Sequence, residues 1–295
     1  MRDKTLFLGN GLNRTLTGGI SWEELMVKLG SNEPKGAGVP FPIEFEQIAA
    51  QKGCQIGRRN RDPYEDLRKE IVDALPKPRR AEDDVHAVFS VLPFNHVITT
   101  NYDRIFEAYL EDLSDSKKNF GSAKNILEAV SSAGDVDVYH AHGIDRLRRT
   151  LCLGHEHYAS LIGKIRSFFY PNGEDNEGIL ANLVKGDMGS LQIWPEYLFT
   201  NDVAIVGFGL DYCETDIWWL LALRAALFSP HGNNQSFENR ITFYRAKIGN
   251  EELSVFDSCH DRALQSLGVE VRTETSASYK DAYESIAAEI RKSWA

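Results

Sequence analysis

Two polar motifs place side chains suited to acid–base and hydrogen-bonding chemistry directly after short apolar runs. Thr100-Asn101-Tyr102-Asp103 follows His96–Thr99, and His142-Gly143 follows Val136–His140. In an α/β protein, ligands bind at the carboxyl ends of the strands. Asn101 offers an amide that hydrogen-bonds without titrating. His142 offers an imidazole, whose reference pKa of about 6.5 suits a general base. Together the two motifs can hold a sugar and activate a hydroxyl.

Asp103 lies two residues beyond Asn101, so both side chains can share one face at the end of a strand. Two interpretations of Asp103 remain open from the sequence. Its carboxylate can contact a ligand, or it can cap a helix that begins at Arg104. We predict that helix over Arg104–Leu113.

Glycines follow two further apolar runs. Gly9-Asn10-Gly11-Leu12-Asn13 comes after Thr5–Leu8, and Gly207-Phe208-Gly209 comes after Val203–Val206. Glycines at such a bend allow the backbone to approach a diphosphate closely. Arg14 stands where the dinucleotide fingerprint has its third glycine, so a tight strand-to-helix turn is the alternative. We interpret Asp216 as a carboxylate favoured by the amino end of a helix.

The elements that must position these motifs alternate between strands and helices. Short apolar or β-branched runs predict six strands, over Thr5–Leu8, His96–Thr99, Val136–His140, Val203–Val206, Arg240–Arg245 and Val269–Arg272. Helical patterns lie between them, and Ser21 with Glu24 forms a capping box ahead of one. This alternation predicts an α/β fold with a Rossmann-like, doubly wound, mostly parallel six-stranded sheet. We expect a single domain over residues 1–295, with helical insertions at about 30–83 and 144–200.

Composition excludes several classes of function. The 295-residue chain carries a net charge of −10, so direct nucleic-acid binding is not expected, because such binding depends on neutralising phosphates. No apolar run approaches the roughly 18–20 residues of a membrane span. The four cysteines form no C-x-x-C pair, which argues against a zinc ribbon. The first strand begins too early to leave room for a leader, so we expect free thiols and a cytoplasmic protein.

Four histidines form two H-x-H pairs, His140 with His142 and His155 with His157. Imidazole is the commonest metal ligand, so a metal-dependent hydrolase built on these four side chains is one alternative. No further carboxylate and histidine spacing resembles a metal-binding helix. We therefore predict no metal site.

The motifs taken together resemble the sirtuin-like domain family, and more narrowly the bacterial sirtuin-like NAD hydrolases of anti-phage defence. The order and spacing of the motifs and the closing strands and helix match the family over nearly the whole chain. Pro42–Glu46, in the first predicted insertion, also resembles a family segment. The resemblance implies that NAD is the substrate and that Asn101 and His142 are catalytic. It also implies a set of cofactor-binding residues, namely Gly9, Asn10, Gly11, Asn13, Thr100, Asp103, Gly207, Phe208 and Gly209.

The sequence departs from the family pattern at several positions. Alanine is usual where Asn10 stands, and serine is common where Asn13 and Gly209 stand. The zinc module of protein-deacylating sirtuins is missing, so no zinc is expected and lysine deacylation is not indicated. In the reaction the resemblance implies, nicotinamide leaves NAD as a neutral molecule, so no general acid is needed. The ribose then passes through a cation like that of glycoside cleavage, which Asp103 can stabilise.

The first functional hypothesis is therefore an NAD glycohydrolase that acts in anti-phage defence and forms ADP-ribose and nicotinamide. The alternative is a non-catalytic subunit that binds NAD or ADP-ribose and scaffolds a complex. By analogy with the family, we expect a homo-oligomer. We also expect activation by a partner, either an ATP-driven DNA translocase or another phage-sensing protein.

Overall fold

A single mixed sheet forms the centre of the molecule. The computed structural model describes residues 2–33, 38–54, 62–81, 84–115, 126–170, 178–185, 191–228, 239–249 and 252–295. These residues form eight strands: β1 Lys4–Leu8, β2 His96–Thr99, β3 Leu113–Asp115, β4 Ser131–Ala133, β5 Val136–His140, β6 Asp202–Val206, β7 Ile241–Ile248 and β8 Glu270–Ser276.

The order of the strands across the sheet is β3-β4-β5-β2-β1-β6-β7-β8. Strands β5, β2, β1, β6, β7 and β8 are all parallel to their neighbours in this series. This is the strand order of a doubly wound Rossmann-like sheet. The direction of winding reverses between β1 and β6, and a crevice for ligands opens at such a reversal, beyond the carboxyl ends of the strands.

The prediction of six strands was incomplete. All six predicted strands are present, but β3 and β4 extend the sheet beyond β5, and both pair antiparallel. The two additional strands are three residues long, with the sequences Leu-Ser-Asp and Ser-Ser-Ala. Neither contains an apolar run, so the patterns that identify buried strands do not detect them.

Helices cover both faces of the sheet and also occur within the described parts of residues 30–83 and 144–200, where we predict helical insertions. They are α1 Trp22–Leu29, α2 Phe41–Gln51, α3 Glu65–Ala74, α4 Val85–Ser90, α5 His155–Phe169, α6 Ile179–Lys185, α7 Trp194–Thr200, α8 Thr215–Phe228, α9 Val255–Ser266 and α10 Tyr279–Trp294. Within the described part of the chain, no helix combines the length and the apolar character needed to cross a bilayer.

The start of α1 is as predicted, whereas the helix expected at Arg104–Leu113 is not formed. Ser21 and Glu24 cap α1 reciprocally. After the Asn-Tyr-Asp motif the chain makes only a short 3-10 helix at Phe106–Tyr109, and Leu113 already belongs to β3. The four-residue helix ends where the chain turns to pair with β4.

Successive side chains of each strand point to opposite faces of the sheet, and they form two separate buried clusters there. Phe7 of β1 packs with Ile98 and Ile205 of the neighbouring strands against the face that α5, α7 and α8 cover. Leu6 and Leu8 point to the other face, with α4 and α10. Both faces are therefore buried, as expected for a mainly parallel sheet.

A third cluster lies over the carboxyl edge of the sheet. Helices α1, α2 and α3 contribute side chains such as Leu25, Phe45 and Leu67, which pack with Tyr102 from the Asn-Tyr-Asp motif. Helices α1, α2 and α3 are thereby packed against the segment that carries the Asn-Tyr-Asp motif.

Candidate functional site

A cavity of about 420 Å³ opens at the point where the strand order reverses, between the residues that follow β1 and β6. Its volume lies within the range of about 300–1,000 Å³ found for small-molecule sites. Six of the residues predicted to bind a cofactor line it, namely Asn10, Gly11, Thr100, Gly207, Phe208 and Gly209. The structure thus brings both glycine turns and the end of β2 to one cavity.

The two glycine turns pack against each other. The Gly9 N–H donates to the Val206 carbonyl at 3.0 Å, and the Gly11 N–H donates to the Gly207 carbonyl at 2.6 Å. These two amides are therefore occupied and not free to bind a diphosphate. The sequence located the turns correctly, but close backbone packing is the reason for these two glycines.

This packing predicts that replacement by alanine has unequal effects on stability at two glycines. A Cβ at Gly11 would lie 2.7 Å from the Gly207 Cα and 2.4 Å from the Tyr283 hydroxyl, whereas a Cβ at Gly209 meets nothing within 4 Å. We expect Gly11→Ala to lower the free energy of unfolding by about 1–3 kcal/mol. Gly209→Ala should change it by less than about 0.5 kcal/mol. Urea unfolding measures both, and equal effects would contradict this account of the turns.

The cavity also has a basic and an aromatic wall that the sequence did not reveal. Arg14, at the position of the fingerprint's third glycine, lines the cavity and is exposed. Trp22 of α1 and Phe41 of α2 line it as well, and their rings stack with centroids 5.3 Å apart. Arg14 therefore supplies a cation for a phosphate at this rim, and the two rings supply flat apolar surface.

Acidic side chains form the remaining wall of the cavity. They include Glu44, which is buried and accepts a hydrogen bond from Ser31, and Glu214, which follows β6. Carboxylates in such a wall favour a ligand, or part of a ligand, that carries or develops positive charge.

Asn101 and Asp103 line a separate small hollow of about 20 Å³. It shares Asn10, Ser21 and Trp22 with the main cavity, so the two lie side by side. The hollow is large enough for one water molecule, which needs about 10–15 Å³. The Asn101 side-chain amide donates to the Gly9 carbonyl at 3.3 Å.

Asp103 acts both as a turn cap and as part of a buried network. One carboxylate oxygen accepts from the Ile105 N–H at 3.0 Å, and the other accepts from the Asn13 side chain at 2.8 Å. Burial raises the pKa of Asp103 to about 6, against the opposing effect of the Ile105 hydrogen bond. Asp103 therefore caps the turn ahead of the 3-10 helix at Phe106–Tyr109, whereas the helix predicted from Arg104 is not formed. Contact between the Asp103 carboxylate and a ligand stays a prediction.

The network continues from Asn13 away from the cavity. The side-chain oxygen Oδ1 of Asn13 lies 2.8 Å from His86 Nε2, and His86 Nδ1 lies 2.8 Å from Asp84 Oδ1. Asn13 is buried and does not line the main cavity. It orients Asp103, and the His86–Asp84 pair in turn orients Asn13.

His142 is held between two carboxylates. Its Nε2 lies 3.0 Å from Asp216 Oδ2, and its Nδ1 lies 3.5 Å from Glu214 Oε2. His142 is 2 % exposed and Asp216 is fully buried. Each ring nitrogen faces a different carboxylate, with a hydrogen bond to Asp216 and an ion pair with Glu214, an arrangement that suits an imidazolium.

The charges around His142 determine its protonation. Burial alone would lower the pKa of His142, but the charges of Asp216 and Glu214 raise it to about 9. Burial raises the pKa of Glu214 to about 7, although the His142 cation opposes that shift. At neutral pH His142 therefore carries both protons, which does not favour the expected role of His142 as the base.

Contact between His142 and Asp216 requires the segment after β6 to cross the edge of the sheet. Strands β5 and β6 are separated by β2 and β1, a distance of roughly 14 Å at the usual spacing of strands. Residues 207–216 span this distance and bring Glu214 and Asp216 to the imidazole. Asp216 is also in the first turn of α8, so its predicted placement at a helix start was correct but incomplete.

The four histidines considered for a metal site have different partners. His140 lies 2.8 Å from Glu107, the Gly154 N–H donates to His157 at 3.0 Å, and His155 is exposed. Within the described residues, the group able to surround a cation is His142 with Glu214 and Asp216. Because the two carboxylates face opposite ring nitrogens, hydrogen bonding accounts for this group without an ion.

The Asn-Tyr-Asp motif, the His-Gly motif and the second glycine turn all fall inside a known family model. Residues 95–211 match the SIR2-like domain, and this match places that segment in the sirtuin-like domain family, as the motifs predicted. Such domains are typically NAD-dependent enzymes, so the match indicates an NAD-related activity. The first glycine turn, Glu214 and Asp216 lie outside the matched residues. No curated protein matches the chain.

Proposed function

We propose that this protein is an NAD glycohydrolase that cleaves NAD to ADP-ribose and nicotinamide. One observation carries the proposal: a single cavity is lined by both glycine turns and by Glu214, which contacts the His142–Asp216 pair. The cavity thus combines surfaces for a dinucleotide with buried acid–base groups. A packing role does not account for a buried imidazolium between two carboxylates, since burying charge is costly.

The walls of the cavity match the two halves of the proposed substrate. Arg14 stands at the rim where a diphosphate would be neutralised. The acidic wall with Glu44 and Glu214 suits the ribose, where positive charge develops as nicotinamide leaves. Asn101 lies in the adjoining hollow and is proposed to hold the ribose or the attacking water by hydrogen bonds.

Nicotinamide release tests the proposal directly. We expect the wild-type protein, alone or purified with the proteins encoded beside it, to release nicotinamide from NAD. Asn101→Ala should lower the rate at least about ten-fold, with NAD binding retained. Asn95→Ala, an exposed asparagine at the opposite end of β2, is the matched control and should keep full activity. Absence of release from the assembled complex would contradict the proposal.

A non-catalytic NAD- or ADP-ribose-binding subunit is the second candidate. It is favoured by the fact that the described residues lining the main cavity include neither Asn101 nor His142. Calorimetry distinguishes the two functions: binding of NAD without release of nicotinamide, in the assembled complex, identifies the binding subunit.

The biological setting proposed is anti-phage defence, from the resemblance of the motifs to that group of NAD hydrolases. Unrestrained loss of NAD would harm the cell, so the protein is proposed to act within a homo-oligomer or under the control of a partner. The proposed partner is an ATP-driven DNA translocase or another phage-sensing protein.

A further inference from the structure

Glu214 is the member of the buried cluster that reaches the main cavity. It is 5 % exposed and lines the cavity wall. The Tyr158 hydroxyl donates to Glu214 Oε2 at 2.8 Å, and His142 Nδ1 faces the same oxygen at 3.5 Å. Because both contacts use Oε2, Oε1 is the oxygen available to a molecule in the cavity.

We propose that Glu214 is a catalytic residue that accepts the proton of the water attacking ribose C1′. The inference rests on the proposed function. In this step the bond between C1′ and the pyridinium nitrogen breaks, and its electron pair leaves with neutral nicotinamide. A bond forms between C1′ and the water oxygen, and one water proton passes to Glu214 and then to solvent.

His142 and Asp216 act in this account as positioning residues. His142 donates to Asp216 Oδ2 through Nε2, and its Nδ1 forms an ion pair with Glu214 Oε2 at 3.5 Å, so its positive charge favours the ionised form of Glu214. Tyr158 fixes the same carboxylate from α5. A carboxylate held on one oxygen by a hydrogen bond and an ion pair presents its other oxygen in a defined direction, which is the requirement for a general base.

The step has a consequence that separates it from a structural role. Water must lose a proton when it attacks the ribose cation, whereas free nicotinamide attacks through a pyridine nitrogen that carries none. A base is thus needed for hydrolysis but not for recapture of nicotinamide.

We expect Glu214→Gln, which keeps the shape and the acceptor for Tyr158, to lower ADP-ribose formation at least ten-fold. Exchange of labelled nicotinamide into NAD should persist or appear.

The experiment compares the two rates in the assembled protein, for wild type and for Glu214→Gln. Hydrolysis that is unchanged in the variant, or hydrolysis and exchange lost together, would overturn the role of Glu214 and leave the glycohydrolase proposal intact. Failure of the wild-type complex to release nicotinamide would instead overturn the proposed function. If Glu214→Gln does not fold, Glu214→Asp withdraws the carboxylate by one methylene, and its ratio of exchange to hydrolysis should rise in the same direction.

Discussion

Asparagine in place of Asp216 is expected to slow nicotinamide release about 10³-fold at pH 8. This is less than the loss of about 10⁴-fold seen when the carboxylate beside a catalytic histidine is removed, because His142 acts here as a positioning residue. Asp216 is fully buried, accepts from His142 Nε2 at 3.0 Å, and its Oδ1 has no other partner among the described residues. An amide there can donate as well as accept, so it no longer fixes the doubly protonated imidazole.

The pH profile of Asp216→Asn should show in which direction the loss of the Asp216 charge shifts the pKa of His142. In the wild type, Glu214 has a pKa of about 7 and His142 of about 9, so activity that needs an ionised Glu214 and a cationic His142 should rise through pH 7 and fall above pH 9. Removing the Asp216 charge lowers the pKa of His142. The alkaline limb of the profile should therefore move to lower pH.

The groups that face Glu214 from other elements support an active form with an ionised Glu214 and a cationic His142. His142 lowers the pKa of Glu214, Asp216 and Asp211 raise it, and the Tyr158 hydrogen bond lowers it. Asp211→Asn is the matched control, because Asp211 lines the same cavity but is exposed. Its screened charge should alter the rate by no more than about three-fold. Equal losses in the two variants, or an unmoved alkaline limb in Asp216→Asn, would argue against the imidazolium.

The sequence was sufficient for the centre of the parallel sheet because β1, β2 and β6 are buried on both faces. Such strands are short apolar runs, and β1, β2 and β5 begin and end within one residue of their predicted bounds. Strands β3 and β4 depend instead on pairing at the edge of the sheet, where side chains are partly solvated and polar residues suffice. Their formation is a tertiary event without a local signal.

In the candidate site, too, features with a local signal in the sequence could be predicted, and features that depend on tertiary contacts could not. Parallel strands end at one edge, so motifs after β1, β2, β5 and β6 could be assigned to one region from the sequence. The contact of Glu214 with His142 could not be assigned, because it depends on the path of residues 207–216 across that edge. Asp216 followed a glycine turn by a few residues, and this was the signal available in the sequence.

Protonation was the least predictable property of the site. A reference value for histidine suggested a base at position 142, but the pKa is set by Asp216 and Glu214, which are distant in sequence. The pKa of Asp103 is likewise shifted from its reference value, here by burial. Spacing identifies residues that can do chemistry, whereas the environment decides which of them holds the proton at a given pH.

Asp103 and its network support a prediction that does not depend on the proposed activity. Asn13→Asp is expected to lower the free energy of unfolding by about 3 kcal/mol at pH 8, because it removes the donor to Asp103 and places two carboxylates in contact in the interior. The wild-type Asn13 amide donates to Asp103 at 2.8 Å, and both side chains are buried. The new carboxylate cannot donate while it is ionised.

The loss of stability should shrink as the pH falls. Burial already places the pKa of Asp103 at about 6, above its unfolded value of about 3.9, and a second carboxylate raises the pKa of the pair further. A proton shared by the pair restores one hydrogen bond, so the stability is present at low pH and is lost as the pH rises through the folded pKa. Urea unfolding at pH 5.5 and pH 8 measures the difference between variant and wild type.

Asn95→Asp controls for the chemical change itself. Asn95 is exposed and accepts a hydrogen bond from the Lys4 N–H, a role that a carboxylate also fills, so its effect should stay within about 0.5 kcal/mol at both pH values. A loss at Asn13→Asp that is the same at pH 5.5 and pH 8 would show that the carboxylate of residue 13 does not share a proton with Asp103, and would contradict the contact between the two side chains. A loss confined to high pH is the expected result, because the contact between residues 13 and 103 couples the glycine turn after β1 to the motif after β2.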